Sequence, residues 1–163
     1  MEIRAFEPSD QRAFEAFFAG CMAGIGWEYQ PNGRHADVLD VAGAYLSKGR
    51  VYLAEEGGKI VGSVAVYTFR DAPKSAEIKR LYVLREHQGK GYGEALLLRA
   101  LRWARESGHE FALLDSRSER AAALGLFRKH GFREIPKYND NHYANRFFRL
   151  PLTPEGGEAR GKE

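Results

Sequence analysis

A glycine-rich stretch near the middle of the chain, from Gln88 to Glu94, carries the residue types best suited to binding an anion. Glycines stand at three alternate positions, Gly89, Gly91 and Gly93, so the backbone amides can approach a ligand closely. The first turn of a following helix would add unsatisfied N–H groups that point at the same place. The stretch therefore predicts a phosphate-binding turn, although glycine between two elements is also common in flexible connectors.

Two regular elements must position this turn. Before it, residues 78–83 alternate polar side chains with apolar, aromatic and branched ones, which is typical of a half-buried strand. After it, apolar residues recur at three- and four-residue steps, which predicts a helix with one buried stripe and an end at Gly108. The residues expected in that stripe are Leu97, Leu98, Leu101 and Ala104.

Two well-known phosphate loops do not fit these residues. The loop G-x-x-x-x-G-K-[ST] fails because no glycine-lysine pair is followed by serine or threonine in that frame. The dinucleotide fingerprint G-x-G-x-x-G requires a final glycine where the chain has Glu94 or Leu96. Asp115 does lie roughly twenty residues downstream, so a dinucleotide-dependent oxidoreductase stands as a weak alternative.

The pattern that does match is Gln88-x-x-Gly91-x-Gly93, placed after a Glu-x-Lys-Arg-Leu-Tyr-Val strand and before a helix. In these residues the chain resembles the GCN5-related N-acetyltransferases, whose Arg/Gln-x-x-Gly-x-Gly/Ala loop holds the pyrophosphate of acetyl coenzyme A (acetyl-CoA). The resemblance implies an α/β (α+β) fold with a mixed central sheet, in which an antiparallel N-terminal meander precedes a splayed parallel pair with flanking helices. It also implies an N-acetyltransferase that moves an acetyl group from acetyl-CoA to a primary amine.

The resemblance also implies which residues hold the cofactor. In the family the pantetheine arm lies in the gap between the two parting strands and bonds to the main chain like an extra strand. The expected contacts are the loop residues Gln88, Gly89, Lys90, Gly91, Tyr92, Gly93 and Glu94 and the main chain of Leu81, Tyr82 and Val83.

A second family signature, Asn-x-x-Ala-x-x-Leu-Tyr-x-x-x-Gly-Phe, is matched with two departures. Arg120 stands in place of asparagine, and Phe127 stands in place of a tyrosine that often protonates the departing thiolate. Phe127 can keep the packing role beside the cofactor, but it has no proton to give. These departures keep open a non-catalytic acyl-CoA-binding sensor as the alternative function.

The expected chemistry requires a base and an acid. An amine with a pKa near ~10.4 is mostly ammonium at neutral pH, and only the free base attacks a thioester. Glu77, at the start of the strand that feeds the turn, is the expected base, directly or through one water. Its alternative is a surface glutamate paired with Lys79 or Arg80. Tyr138 lies in an Ile-Pro-x-Tyr segment that related acetyltransferases fold over the acceptor, so it is the expected acid, unless it only packs the loop.

Four residues are candidate acceptor contacts. Trp27, Glu28 and Tyr29 follow the first predicted helix, in a segment that helps form the acceptor pocket in the family, although they could equally anchor the loop. A second helix is expected over residues 37–47. His142, in the loop of Tyr138, is the fourth candidate and the second choice of acid. We expect direct attack without an acyl-enzyme, because the sole cysteine, Cys21, lies on the apolar stripe of the first helix.

Composition limits the remaining possibilities. The chain has 163 residues, 44% hydrophobic and 29% charged, which predicts one acetyltransferase domain over residues 1–152 and a disordered tail over residues 153–163. No apolar run approaches the roughly 20 residues that span a bilayer, and residues 1–4 are not typical of a secretory signal. A single cysteine suits a reducing cytoplasm, so we expect a cytoplasmic protein that does not bind membranes.

The charged residues point to a small set of partners. Lys and Arg number 25 against 22 Asp and Glu, which describes a mixed surface and does not indicate nucleic acid. Five histidines, namely His35, His87, His109, His130 and His142, lack metal-ligand spacing, so we expect no metal and place them at the surface or in loops. The expected partner is a small-molecule or peptide amine, and pairing into homodimers is left open.

Overall fold

The computed structural model describes residues 1–152. The tail predicted over residues 153–163 lies outside the described residues. The chain forms two compact units. The first unit contains Met1–Tyr67 and Arg80–Ala100, and, of the described residues, the second contains Thr68–Lys79 and 101–152.

Within residues 1–152, seven strands form a mixed sheet in the order β1-β2-β3-β4-β5-β7-β6. The strands are β1 (Glu2–Ala5), β2 (Gly49–Glu56), β3 (Lys59–Thr68), β4 (Ser75–Val83), β5 (Phe111–Ser116), β6 (Arg133–Glu134) and β7 (Arg146–Pro151). The helices are α1 (Gln11–Ile25), α2 (Tyr92–Glu106) and α3 (Ala121–Lys129). β1, β2 and β3 pair in antiparallel fashion, whereas β4 and β5 are parallel. The predicted fold class is confirmed.

In the first unit, α1 buries one face along its whole length. The buried residues are Phe14, Phe17, Phe18, Cys21 and Met22, which recur at the three- and four-residue steps of a helix. The helix ends at Gly26, whose left-handed φ of 87° a glycine adopts without steric cost. The predicted apolar stripe of the first helix is therefore confirmed.

The second helix predicted over residues 37–47 is present, but it is not a regular α-helix. The chain forms a 3-10 helix at Ala36–Asp40 and then a π-helix at Ala42–Leu46. Side chains compete for the backbone here: the Gln11 amide bonds to the carbonyl of Val38 and the N–H of Val41, and the Asp40 carboxylate accepts from the N–H of Gly43. These bonds replace regular α-helical partners.

The stripe predicted for α2 needs one correction. Leu98 is 45% exposed, whereas the buried residues of this helix are Leu96, Leu97, Ala100, Leu101 and Ala104. Successive residues are about 100° apart around a helix, so Leu98 leaves the face that Leu97, Leu101 and Ala104 share. Gly108 follows the helix with a φ of 87°, as expected for a helix end.

In the second unit, aromatic rings form the centre of the core. Phe127 of α3 packs 6.0 Å from Phe132 and 5.9 Å from Phe148 of β7, measured between ring centroids. His109 is also buried, against our expectation, because its Nε2 lies 2.9 Å from Thr68 Oγ1 and its Nδ1 lies 3.1 Å from the Ala104 carbonyl oxygen. Both ring nitrogens are thus satisfied inside the protein.

His35 in the first unit is likewise buried rather than exposed on a loop, with only 1% of its surface accessible. Its ring lies 5.1 Å from Phe18 and 5.7 Å from Tyr29, and its Nδ1 accepts from the N–H of Gln30 at 2.9 Å. Burial, followed by the positive charges of Arg80 and Arg34, lowers the pKa of His35 to about 4. The imidazole is therefore neutral at pH 7.

This burial predicts a specific loss of stability in acid. In the unfolded chain His35 binds a proton below about pH 6.5, but in the folded protein it does so only near pH 4. The unfolded state therefore binds more protons between pH 6.5 and pH 4. The contribution of His35 to the free energy of unfolding falls by up to about 3 kcal/mol as the pH drops through this range. Urea unfolding at pH 7 and pH 4.5 gives the free energy of unfolding of wild type and of His35→Gln at each pH. The drop in this free energy from pH 7 to pH 4.5 should be smaller in the variant. Equal differences would contradict this account.

None of the helices in residues 1–152 has the length and apolar character needed to cross a bilayer. In the same part of the chain, no three His, Cys, Asp or Glu side chains are grouped so that they could hold a metal ion.

Candidate active site

The glycine turn of the first unit has the backbone shape expected of an anion-binding loop. A short 3-10 turn at Arg85–His87 leads into Gly89 and Gly91, whose φ angles are +80° and +85°. The N–H of Ala95 bonds to the Gly91 carbonyl at 3.1 Å, so the helix begins directly after this glycine. The N–H groups of residues 92–94 therefore lie in the first turn of α2, where an intrahelical partner is lacking.

Space around the turn is open as well. A Cβ placed on Gly89 or Gly91 would meet no atom within 4 Å, so neither residue packs against a neighbour. Bare amides, a helix N-terminus and open space together fit a diphosphate group. Gln88 does not point into this space: its Nε2 donates to the Val83 carbonyl at 3.0 Å and ties the turn to the end of β4.

Charged groups border the turn on one side. Glu56 at the end of β2 lies 3.8 Å from Lys90 Nζ and 3.7 Å from His87 Nδ1, and it accepts a hydrogen bond from the Tyr92 hydroxyl. The bond from Tyr92, with the charges of Lys90 and His87, lowers the pKa of Glu56, and the same bond raises the pKa of Tyr92. Lys90 is half-exposed and can therefore turn to an incoming anion.

The part of β4 expected to bind the pantetheine arm lies beyond the ladder with β5. That ladder runs from the pair Ser75–Phe111 to the pair Ile78–Leu114, whereas β4 continues to Val83. Residues 81–83 are partly exposed, and they directly precede the turn. Their role in binding the cofactor stays a prediction.

Glu77 occupies a buried polar site in the second unit. Its residue exposure is 3%, and its carboxylate accepts from the Tyr138 hydroxyl at 2.6 Å and from Asn139 Nδ2 at 3.0 Å. Lys79 Nζ lies 3.9 Å away. The alternative of a surface glutamate is therefore wrong, and Arg80 pairs with Asp37 instead. The structure brings together the two residues expected to act as base and acid.

The Tyr138 ring is held in place by two aromatic neighbours. It meets Phe69 and Phe147 edge-on, at centroid distances of 5.4 Å and 5.8 Å. Such edge contacts fix the plane of the ring and hence the direction of its hydroxyl group. Tyr138 therefore does not only pack the loop, because its hydroxyl group is directed at a buried carboxylate.

Sequence reasoning missed a second carboxylate in this cluster. Asp115 accepts from Lys79 Nζ at 2.6 Å, from Asn139 Nδ2 at 2.8 Å and from Asn141 Nδ2 at 3.2 Å. The signal that could have found it is strand alternation: Glu77 pairs with Leu113 across the parallel ladder, which places Lys79 and Asp115 two residues further along the same face. One lysine and two asparagine amides, which make three hydrogen bonds between them, thus support the two carboxylates.

The remaining predicted residues belong to one or the other unit and are described in turn. In the first unit, Trp27 is half-buried with the Arg34 guanidinium 5.6 Å from its ring, and exposed Glu28 accepts from Gln30 Nε2 at 3.2 Å. Tyr29 is half-buried, and its hydroxyl oxygen has no hydrogen-bond partner among residues 1–152. In the second unit, His142 is exposed. The acceptor roles of these four residues stay predictions, as does the contact of buried Phe127 with the cofactor.

Comparison with known proteins agrees with the arrangement of these elements. The chain is 29% identical over 133 residues to N-acetyltransferase family 8 member 2 of Rattus norvegicus, an alignment covering 77% of this chain and 59% of that protein. The chain spans a little over half the length of the first curated relatives that it matches.

Solved structures show the same fold. A GNAT-family acetyltransferase from Staphylococcus aureus Mu50 superposes with a TM-score of 0.84 at 18% identity, covering 93% of this chain and 99% of that one. The Salmonella typhimurium protein YncA, solved with its cofactor acetyl-CoA, superposes with a TM-score of 0.73 at 24% identity, covering 93% and 94%. A sequence profile of the acetyltransferase (GNAT) family matches residues 12–132, which is most of the chain. The chain therefore belongs to the GNAT acetyltransferase family.

Proposed function

We propose that the chain is an acetyl-CoA-dependent N-acetyltransferase that acts on a primary amine by direct transfer. The observation that carries this proposal is the buried pair of Glu77 and Tyr138, joined by a hydrogen bond of 2.6 Å. Glu77 is only 3% exposed, and burying a carboxylate costs free energy that hydrogen bonds only partly offset, so its presence beside a phenol supports a functional role for the pair. Membership of an acetyltransferase family gives the pair a reaction that needs both a base and an acid.

The turn and helix N-terminus of the first unit would hold the cofactor. Backbone N–H groups of residues 89–94 would bind the pyrophosphate, Lys90 would add a positive charge, and the main chain of residues 81–83 would bind the pantetheine arm. When bound, acetyl-CoA supplies an activated thioester carbonyl. Binding in this scheme relies on main-chain groups, which tolerate most changes of side chain.

In this scheme, residues of the second unit carry out the proton transfers. Glu77 takes a proton from the acceptor ammonium, so the free amine can form the new nitrogen-carbon bond. Tyr138 gives its hydroxyl proton to the sulfur as the carbon-sulfur bond breaks. The 2.6 Å bond then lets the proton held by Glu77 return to Tyr138, which restores both groups. The ammonium nitrogen loses two protons on becoming an amide: one reaches the sulfur by way of Glu77 and Tyr138, and the other is released to solvent. Neither a metal nor an acyl-enzyme takes part in this scheme.

Replacing the proposed acid should slow turnover without weakening cofactor binding. Tyr138→Phe keeps the ring between Phe69 and Phe147 but removes the proton, so we expect kcat to fall about 10²-fold with little change in the KM for acetyl-CoA. Tyr143→Phe, a loop tyrosine that is 47% exposed, is the matched control and should retain wild-type kcat. A wild-type kcat in Tyr138→Phe would remove the tyrosine from the mechanism.

Two measurements separate the enzyme from an acyl-CoA sensor. Calorimetric titration with acetyl-CoA tests binding, and free thiol release with a panel of amino acids, polyamines and short peptides tests turnover. An enzyme releases thiol in proportion to the amine, whereas a sensor binds acetyl-CoA and releases none. The amines that support release would also define the acceptor class.

A further inference from the structure

Arg80 adopts a backbone conformation that is unusual for its residue type. Its φ of +56° makes it the single non-glycine residue with a positive φ among the described residues. A side chain in this left-handed region is strained, and such strain persists only where the surroundings impose it. The residue lies in β4, immediately before the segment proposed to bind the pantetheine arm. The strained residue is therefore next to the main-chain groups that are proposed to bind the cofactor.

Five contacts within the first unit impose this conformation. The guanidinium forks onto Asp37, with Nε 2.9 Å from Oδ2 and Nη2 2.7 Å from Oδ1, and it also donates to the Arg34 carbonyl at 3.1 Å. It lies 5.3 Å from the ring centre of Phe18. The Ser63 hydroxyl donates to the Arg80 carbonyl at 2.7 Å, so the peptide group is held as well as the side chain.

The pair stays charged over the working pH range. Burial alone would raise the pKa of Asp37, but the bonds from Arg80 and then from the Tyr45 hydroxyl hold that pKa below its ordinary value. Desolvation opposes the charge of Arg80, yet the bond from Asp37 raises the pKa of the guanidinium above its ordinary value. The side chains are only 19% and 21% exposed. Both partners are therefore charged at neutral pH, and the contact is an ion pair.

We propose that Arg80 is a positioning residue for the transfer reaction, an inference that rests on the proposed function. Its strained backbone holds β4 so that the main-chain groups of residues 81–83 are presented to the pantetheine arm. Its guanidinium, through Asp37 and the Arg34 carbonyl, holds the segment that carries Trp27 and Tyr29, two candidate acceptor contacts. Arg80 thus orders two segments of the first unit: residues 81–83 of β4, which we call the cofactor strand, and residues 27–29, which we call the acceptor loop.

Two variants separate the backbone role from the side-chain role. Arg80→Gly keeps φ +56° accessible without steric cost but removes the guanidinium, whereas Arg80→Ala removes the guanidinium and disfavours that φ. Acetyl-CoA affinity, measured by calorimetry, should therefore fall about tenfold in Arg80→Ala and about twofold or less in Arg80→Gly. The KM for the acceptor should rise about tenfold in both variants, because each removes the bonds from the guanidinium to Asp37 and to the Arg34 carbonyl.

The matched control is Arg4→Ala. Arg4 makes a similar bidentate pair with Asp10 in the same unit, with both N–O distances 2.9 Å, and it lies in β1, outside the proposed site. This control should lower the melting temperature, while the affinity for acetyl-CoA and the KM for the acceptor stay at wild-type values. Arg80→Lys replaces Arg80→Ala if the latter does not fold. Lysine cannot reproduce the forked contact, so we expect its acetyl-CoA affinity to fall about threefold to tenfold.

The outcomes are distinct. Wild-type acetyl-CoA affinity in Arg80→Ala, or in Arg80→Lys if that replaces it, would overturn the backbone role. A wild-type acceptor KM in Arg80→Gly would overturn the side-chain role. Equal loss of affinity in the glycine variant and in the alanine or lysine variant would also overturn the backbone role. If wild type binds acetyl-CoA but transfers nothing, the proposed function fails, yet the affinities of the variants still test the effect of Arg80 on the cofactor strand.

Discussion

Glu77→Gln should lower kcat for acetyl transfer by about 10²- to 10⁴-fold, the range that a general base contributes. Glutamine has the same shape and still accepts the hydrogen bond of Tyr138, so the buried cluster with Asn139 should stay packed. It cannot take a proton, and the acceptor amine then stays an ammonium ion at neutral pH. Steady-state rates at saturating acetyl-CoA, read as free thiol, measure this loss.

The pH dependence of the residual rate adds a second test. Because an alkyl amine deprotonates near ~10.4, a higher pH supplies free amine without a base, so the rate of Glu77→Gln should approach that of wild type as the pH rises. Glu110→Gln, a half-exposed glutamate beside Lys74, serves as the control and should keep wild-type kcat. A Glu77→Gln enzyme with normal kcat and a raised KM would assign Glu77 to binding instead.

Gly91→Val should weaken acetyl-CoA binding by about tenfold to a hundredfold, which corresponds to the cost of forcing a strained backbone. Gly91 has a φ of +85°, and a β-branched residue is a clear outlier in that region. A Cβ there meets no protein atom within 4 Å, so the protein itself is not overpacked. The substitution instead bends the turn and fills the space proposed for the pyrophosphate. Calorimetric titration with acetyl-CoA measures the effect.

Gly108→Val is a closely matched control for this substitution. Gly108 has a φ of +87°, and a Cβ on it would also meet nothing within 4 Å, but it follows the C-terminus of α2 rather than preceding its N-terminus. Both variants carry the same backbone strain, so a comparable fall in melting temperature is expected for each. Only Gly91→Val should lose cofactor affinity. Equal affinities would show that the turn does not hold the pyrophosphate.

Local patterns in the sequence were enough to predict the elements that position the turn. The alternation in residues 78–83 predicted β4, and the glycines after Gln88 predicted the turn at the start of α2. These features depend on neighbours within a few residues, where periodicity and turn chemistry dominate. Leu98 was misplaced because a stripe drawn from apolar residues alone ignores the 100° step between adjacent helical positions.

Contacts between distant segments were beyond this kind of reasoning. Asp115 joins the site through side chains that are 24 to 36 residues away, and Asp37 reaches Arg80 across 43 residues. Alternation along a strand can place a side chain such as Asp115 on one face, but a single sequence does not show which distant residue it meets. The positive φ of Arg80 was also hidden, since glycine is the residue that normally signals this conformation. Tyr138 and Glu77 were each expected to act in catalysis, but their 2.6 Å bond became visible only in the folded chain.

The central claim is that this chain joins an acetyl group to an amine while coenzyme A leaves as the free thiol. Its most direct test is product stoichiometry: wild-type protein is incubated with acetyl-CoA carrying a ¹³C-labelled acetyl group and the amine panel, then thiol and acetylated amine are quantified by mass spectrometry. The account predicts one labelled acetylamine for each thiol released, with no label on the protein. Tight binding of acetyl-CoA without acetylated amine, across the whole panel, would contradict it.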